Sequence, residues 1–247
     1  MKHVTFLMLA LIISATPIAA QDIPLSKILV EKEGWREVVK APVSVNYLSG
    51  MADGTVKVFR DRVLGSINSE GKWTPDNRPD FGGHNIAYRK HLYSIKDKRV
   101  EVLLGEKFQP LELKGLVDPV CIQFWPDEGH LVIGESDGAY LWAVRIEKNG
   151  SFGPGDRYYS LRTKPNEKMH VTSMVMDAGY LLYACTPLGI QVFDPTGRLS
   201  GVIAAPSKES MTAITIGGAK ADELFVAAGD KIFARRIQGK ASYTLKK

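Results

Sequence analysis

Short apolar or alternating runs, separated by Gly, Asp, Asn and Pro, make up most of the chain beyond residue 40. Residues 119–124 (Pro-Val-Cys-Ile-Gln-Phe) and 140–146 (Tyr-Leu-Trp-Ala-Val-Arg-Ile) are two examples. Helical periodicity is nearly absent from this part of the sequence. Runs of this length, with this punctuation, predict β-strands joined by tight turns. The chain is therefore predicted to be all-β.

The strand-like runs recur in one order, with an opening strand, a polar turn, a second strand and a third. Five units open at residues 43–47, 84–88, 119–124, 171–176 and 211–216. A period of about 40 residues with three or four strands is typical of the blades of a β-propeller. A β-sandwich is the alternative, but sandwiches do not repeat an internal pattern at this period. Residues 25–39 are predicted to add an edge strand that closes the ring against the last blade.

Residues 1–20 have the order of a secretory signal: Lys2 and His3, an apolar run over 4–13, and then small residues up to Ala20. A membrane anchor is the alternative, but the apolar run is shorter than the roughly 20 residues that a span needs. The sequence thus predicts a signal peptide at 1–20 and a propeller domain at 21–247. It also predicts an exported product, periplasmic or secreted, with no membrane span after cleavage.

The charge distribution bears on which partners the protein can bind, and the cysteine content bears on whether it forms a disulfide. The formal net charge is +5, but the basic residues are scattered, and a nucleic-acid footprint would be clustered. No nucleic-acid partner is expected. Cys121 and Cys185 both lie in apolar strand-like runs, which favours two buried free thiols, although export permits a disulfide between them.

Several motifs in the C-terminal half resemble a known family. They are Gly189 to Pro195 followed by Gly197-Arg198, then Ile216-Gly217-Gly218, residues 224–229, and residues 119–124 with Pro126-Asp127. With these motifs the chain resembles the senescence-marker-protein, gluconolactonase and luciferin-regenerating-enzyme family. The resemblance covers most of residues 119–239 and is weaker over 34–116.

The resemblance implies a six-bladed propeller, with one blade missing or compressed around residues 96–116. It also implies hydrolysis of sugar lactones or related esters. In the family a divalent metal such as calcium or zinc lies at the mouth of the central tunnel. The metal ligands there are typically a Glu, an Asn and an Asp from different blades, and the metal polarises the lactone carbonyl.

The family's ligands are not conserved in this chain when they are carried over position by position. Val120 stands where the family has the Asn, Thr172 stands where it has the Asp, and the Glu falls near Asn46. Valine has no donor atom, and the other two offer only neutral oxygens. Since hard divalent ions are held by charged oxygen ligands, we expect no metal or other cofactor here.

The tunnel mouth offers other polar residues. His84 and His170 open two of the units and could supply a general base for water attack on a lactone, or could simply line a wet channel. The residues predicted to bind ligand at the mouth are Asn46, His84, Asn85, Val120, His170 and Thr172. Inter-blade packing is favoured over sugar binding for all four tryptophans, which are Trp35, Trp73, Trp125 and Trp142.

Two functions remain open from the sequence. The first is a gluconolactonase-like lactone or ester hydrolase with altered or metal-free chemistry. The second is a non-catalytic exported propeller that binds a small ligand, such as a lactone or a sugar derivative, or a partner protein. Fold alone does not choose between them.

Overall fold

The computed structural model describes residues 23–60, 63–76, 85–88 (backbone only) and 91–242. The predicted signal peptide and His84 therefore lie outside the described residues. Within the described residues, no helix is long and apolar enough to span a bilayer.

Twenty strands form in the described part of the chain, after a 3-10 turn at Leu25–Lys27. In chain order they are β1 (Arg36–Lys40), β2 (Tyr47–Gly50), β3 (Val56–Phe59), β4 (Val63–Ile67), β5 (Trp73–Pro75), β6 (Asn85–Tyr88), β7 (His91–Lys96), β8 (Arg99–Leu104), β9 (Lys107–Pro110), β10 (Pro119–Phe124), β11 (His130–Glu135), β12 (Tyr140–Ile146), β13 (Phe152–Ser160), β14 (Met174–Met176), β15 (Leu182–Thr186), β16 (Gly189–Phe193), β17 (Leu199–Ile203), β18 (Met211–Gly217), β19 (Glu223–Ala228) and β20 (Lys231–Arg236).

The strands are arranged in five four-stranded antiparallel sheets. The first four blades each run in chain order, as β2–β5, β6–β9, β10–β13 and β14–β17, and the fifth has the order β18–β19–β20–β1. In the first, third, fourth and fifth blades the first strand is the innermost one, since β14 contacts both β10 and β18, and β18 contacts β2. This arrangement confirms the predicted all-β propeller.

The N-terminal strand completes the last blade, as predicted from residues 25–39. Strand β1 pairs antiparallel with β20, from Arg36 opposite Ala234 to Lys40 opposite Lys231. Lys231 also pairs with Glu37 at 2.7 Å, and Arg236 pairs with Glu33 at 3.0 Å. Because β1 and β20 come from opposite ends of the chain, their pairing closes the ring.

The five repeat units counted in the sequence correspond to the five blades, and the six blades implied by the family resemblance are not what the described residues form. Residues 96–116, where a compressed blade was expected, contain β8 and β9. Both strands are used in completing the second blade, since β8 pairs with β7 and with β9.

The opening strand of the first unit lies later than predicted. The prediction was 43–47, but β2 is Tyr47–Gly50. The backbone N–H groups of Ala41 and Val45 instead donate to the carbonyls of Asp230 and Gly229. These hydrogen bonds hold the segment against the fifth blade, where it forms the connection to the first blade and lies outside the sheet.

Apolar side chains are buried between neighbouring blades. Four clusters are seen among the described residues, and each joins residues of two adjacent sheets. Tyr183 and Ile190 of the fourth blade, for example, pack with Ile214 and Leu224 of the fifth. A blade has two apolar faces, so it can bury both only by packing in a ring.

Candidate functional site

A cavity of about 180 Å³ lies on the axis, lined by the innermost strands β2, β10, β14 and β18. Its polar lining residues carry hydroxyls and one carboxamide, and they are Tyr47, Ser49, Gln123, Ser173, Thr215 and Ser242. The remaining lining is apolar or backbone. Among the described residues that line it, none carries a formal charge. The cavity can therefore offer hydrogen bonds to a small neutral molecule but no counter-charge to an ion.

The C-terminal segment lies at the end of this cavity where the inner strands end. Ala241 bridges to Asp177, which directly follows β14, and the Ala178 N–H donates to the Lys240 carbonyl. Ala241 and Ser242 are themselves part of the cavity lining. Access to the cavity is thus narrowed at this end. We call the opposite end, where the inner strands begin, the mouth.

Thr172 lies at that mouth, but its hydroxyl is already used. Oγ1 donates to the Met211 carbonyl at 2.8 Å, which joins the fourth blade to the fifth. The next residue, Ser173, accepts from the Ile214 N–H at 3.2 Å across the same junction. Similar side-chain hydrogen bonds run from Thr212 of the fifth blade to the Val45 carbonyl, in the connection to the first blade, and from the Gly50 N–H of the first blade to Thr215. Thr172 is thus one member of a set of inter-blade hydrogen bonds.

The other positions that match the family's ligands are no better suited to a metal. Val120 is half-buried and packs against the apolar cluster between the third and fourth blades. Asn46 is exposed, and its backbone N–H donates to the Phe59 carbonyl. Among the described residues, no three His, Cys, Asp or Glu side chains are grouped closely enough to hold a metal ion. These residues do not fit the divalent ion of the family.

His170 is exposed and lines a second pocket of about 370 Å³ between the fourth and fifth blades. We call this the mouth pocket; its other lining residues are Thr172, Thr186, Pro187, Ala205, Ser207, Lys208, Glu209, Ser210 and Met211. Of the predicted mouth residues, the structure thus brings His170 and Thr172 together. Asn85 begins β6 in the second blade, where only the backbone is described.

Glu209 was not predicted as a site residue. It lines the mouth pocket and also an adjoining open depression with Arg60, Asp230 and Lys231. The sequence held a weak signal for it, because Lys208-Glu209-Ser210 directly precedes the inner strand β18. His170 and Glu209 together supply the titratable chemistry of the mouth pocket, with Lys208 beside them.

The two cysteines are free and buried, in strands β10 and β15. Burial raises the pKa of Cys121 to about 12. Burial also raises the pKa of Cys185, and the nearby Cys121 adds to that shift. Thiols in this state are inert at neutral pH because the thiolate is the reactive form.

All four tryptophans pack between elements, as predicted. Trp35 donates from Nε1 to the Ala204 carbonyl at 2.8 Å, Trp73 packs against the cluster between the fifth and first blades, and Trp142 is buried and donates to Glu135 at 2.7 Å. Trp125 is half-buried and packs against the cluster between the third and fourth blades, and it also lines an open pocket on the third blade.

A family model described as "SMP-30/Gluconolactonase/LRE-like region" matches residues 96–230. No curated protein matches the chain.

Among solved structures, a luciferin-regenerating enzyme superposes with a TM-score of 0.64 at 10% identity, over 85% of this chain and 97% of that one. A gluconolactonase from Xanthomonas campestris gives 0.58 at 15% identity, over 86% and 92% of the two chains. Regucalcin, a calcium-binding protein from Agrobacterium tumefaciens, gives 0.53 at 16% identity, over 81% and 79%. At such identities the likeness shows a shared fold.

Proposed function

Given that this chain belongs to the SMP-30/gluconolactonase/LRE-like family, we propose that it is a non-catalytic member that binds a small neutral ligand of the sugar-lactone type. One observation carries the proposal. The positions that match the family's metal ligands hold Val120, which has no donor, and Thr172, whose hydroxyl donates to the Met211 carbonyl. A lactone carbonyl held in the tunnel would therefore find no Lewis acid among these residues.

The neutral lining of the axial cavity supports a neutral ligand. Gln123 and the surrounding hydroxyls can donate to and accept from ring hydroxyls or a lactone carbonyl. An aldonate, the product of lactone hydrolysis, carries a carboxylate whose desolvation no cation in this lining would offset. The cavity is thus suited to the lactone and disfavours the acid.

The test begins with the metal content of the purified protein and with hydrolysis of a lactone panel, with and without calcium, zinc or manganese. We expect no stoichiometric metal and no metal-dependent turnover. A stoichiometric divalent ion together with metal-dependent hydrolysis would overturn the proposal.

Binding is measured by isothermal titration calorimetry, using gluconolactone and gluconate as ligands. We expect the lactone to bind more tightly than gluconate. Gln123→Leu should weaken lactone binding roughly tenfold, because about 1.4 kcal/mol of hydrogen bonding is lost. Gln109→Leu is the matched control, since Gln109 is exposed on the outer strand β9 and should leave binding unchanged. Equal binding of lactone and acid would contradict the neutral-cavity argument.

Metal-free lactone hydrolysis is the second candidate, and it is favoured by the presence of His170 and Glu209 in one mouth pocket. An imidazole in this position could take a proton from water as the water attacks the carbonyl. If this activity exists, His170→Ala should lower kcat about a hundredfold or more. Unchanged turnover in that variant would remove His170 from any catalytic role.

The proposal includes export, which rests on the signal-like pattern of residues 1–20. Expression of the full chain in a bacterial host, followed by mass spectrometry of the mature protein, tests it. A mature N-terminus near Gln21 in the periplasmic or culture fraction supports export. Recovery of the intact chain from the cytoplasm argues against it.

A further inference from the structure

An open pocket of about 300 Å³ lies on the third blade, away from the axis, between the β10–β11 turn and the outer strand β13. We call it the rim pocket, and it is lined by Trp125, His130, Ala143, Pro154, Gly155, Asp156 and Tyr158. The Trp125 and Tyr158 rings stand at 66° with their centroids 5.8 Å apart. Trp125 and His130 are in contact at 4.6 Å. Ala143, with its small side chain, lies in the same lining.

Two irregularities in the pairing of β13 with β12 shape the wall of the rim pocket that β13 provides. Leu141 pairs with Tyr159 and Trp142 pairs with Arg157, so Tyr158 is an extra residue between them. In a regular strand Tyr158 and Tyr159 would point to opposite faces. The extra residue instead lets Tyr158 contact Trp125 while Tyr159 packs on Phe193. β-Bulges of this kind re-aim side chains, and they are common beside binding sites.

The second irregularity lies between the pairs Val144–Gly155 and Ile146–Phe152. It places Pro154, which has no N–H for the sheet, in the pocket wall. The stretch Gly155-Asp156 is thus held between two bulges, and both of its residues line the pocket.

The Tyr158 ring is fixed in position by the fourth blade. Its hydroxyl donates to the Pro195 carbonyl at 3.0 Å. Gly197, at φ 83°, lies against the same ring, and a Cβ there would come within 3.1 Å of Cε1. An aromatic wall that is held in place before binding loses little entropy when a ligand arrives.

The charges around the rim pocket are acidic, although the chain as a whole is basic. Asp156 is exposed, and one of its carboxylate oxygens accepts from the Arg157 N–H. Burial is the main cause that raises the pKa of Tyr158, and the negative charge of Asp194 raises it further. Burial and the charge of Asp127 likewise raise the pKa of Tyr180, which contacts Trp125.

The guanidinium of Arg157, which follows Asp156 in the chain, is engaged with other aromatic rings. The Arg157 guanidinium lies over the rings of Tyr140 and Trp142, at 5.4 and 5.2 Å from their centroids. Among the described lining residues there is no Lys or Arg, and Asp156 is the acid.

We propose that the rim pocket binds a small organic cation, through a quaternary or alkylammonium group that packs against the Trp125 and Tyr158 rings beside the Asp156 carboxylate. Faces of Trp and Tyr attract a cation through their quadrupoles, and this attraction grows when the cation is partly desolvated. The carboxylate adds direct Coulomb attraction. This site is separate from the axial cavity, so it does not depend on the proposed lactone binding.

The test uses choline chloride as the probe, in calorimetric titrations of the purified protein. Its neutral isostere, 3,3-dimethylbutan-1-ol, has the same shape without the charge. We expect choline to bind roughly tenfold or more tightly than the alcohol, because both cation–π and carboxylate attraction require the charge. Equal affinities would overturn the proposal, as would binding of a neutral methyl glucoside in preference to choline.

Matched variants locate the site. Asp156→Asn keeps the shape and should weaken choline binding about fivefold to tenfold. Asp137→Asn removes an exposed acid elsewhere on the same blade, one that pairs with Lys168, and should have no effect. Tyr158→Phe keeps the ring and should bind choline within about twofold of the parent, whereas Tyr158→Leu should lose most binding. Undiminished choline binding in both Asp156→Asn and Tyr158→Leu would refute this assignment.

Discussion

Replacing Asp177 with Asn is expected to stabilise the protein at neutral pH, by about 1 kcal/mol. Asp177 is 1% exposed, directly after the inner strand β14. Oδ1 accepts from the N–H groups of Gly179 and Leu181 at 2.8 and 2.9 Å, and Oδ2 accepts from the Tyr183 hydroxyl at 3.2 Å. Its contacts among the described residues include no cation. Burial therefore outweighs these hydrogen bonds and raises its pKa above the usual 3.8.

The sign of the pH dependence follows from that direction. Because the folded state holds its proton more tightly than the unfolded state, stability falls as the pH rises from 3.8 through the raised folded pKa. Asparagine does not ionise, so the Asp177→Asn variant escapes this loss. The difference in unfolding free energy between variant and parent should be near zero at low pH, and it should reach its full value at neutral pH.

The size of the expected gain in unfolding free energy depends on which hydrogen bonds of Asp177 an asparagine can still make. Its Oδ1 can accept both N–H groups and its Nδ2 can donate to the Tyr183 oxygen, but the Tyr183 hydroxyl hydrogen then loses its acceptor, and this cost limits the net gain to about 1 kcal/mol. Each unit of raised pKa is worth about 1.4 kcal/mol, and a neutral acceptor returns part of that through weaker hydrogen bonds. Asp177→Ala would instead leave three donors without an acceptor and should destabilise the protein by about 3 kcal/mol.

Urea unfolding followed by tryptophan fluorescence, at several pH values between 4 and 7, measures these differences. The three proteins should share one m-value, so that midpoints report stability. If Asp177→Asn were destabilised at pH 7 by as much as Asp177→Ala, the carboxylate charge would be favourable where it lies. In that case the claim that desolvation dominates at this position would be wrong.

Three further substitutions test other parts of the packing. Gly239→Ala places a Cβ against the Asp177 carboxylate and should lower the urea midpoint by an amount equivalent to about 2 kcal/mol. Glu135 accepts one hydrogen bond on each carboxylate oxygen, from the Val117 N–H and from Trp142 Nε1. In Glu135→Gln the amide NH2 replaces one of these acceptors and faces a donor, so calorimetric melting should show that the free energy of unfolding falls by about 2 kcal/mol. Thr172→Val removes the hydrogen bond to Met211 and should destabilise by about 1 kcal/mol in urea, while Thr172→Ser should restore most of it. If Thr172→Val were as stable as the parent, the hydrogen bond between Thr172 and Met211 would contribute nothing to the free energy of unfolding.

The sequence predicted inner and middle strands well because their side chains are buried on both faces. Strands β10 and β12 have the predicted bounds, 119–124 and 140–146. The outer strands were missed because exposure removes the apolar signal. All four residues of β9 are exposed, and β13 has one fully buried residue among nine. The run 43–47 was assigned to the sheet because its valines are apolar, although it packs outside the sheet.

For the candidate sites, sequence predicted residue types but not their partners. The position of Thr172 near the mouth could be inferred, whereas its acceptor is a backbone carbonyl 39 residues away, which no local pattern shows. The rim pocket depends on a bulge at Tyr158 and on a contact with the turn at Gly197. The Gly-Pro-Gly run at 153–155 was the available signal, since such a run inside a strand marks an irregular edge.

The pairing of β1 with β20 has a consequence for the order of assembly. Arg236 and Glu33, which meet beside this pair of strands, are 203 positions apart. A nascent polypeptide can form its middle blades as they emerge, but the fifth blade cannot be completed until β20 has been synthesised. Contacts between such distant positions slow folding, because a long loop must close first. Until then, β1 has no neighbour, and a truncated product that stops before β20 would present an unpaired edge prone to aggregation.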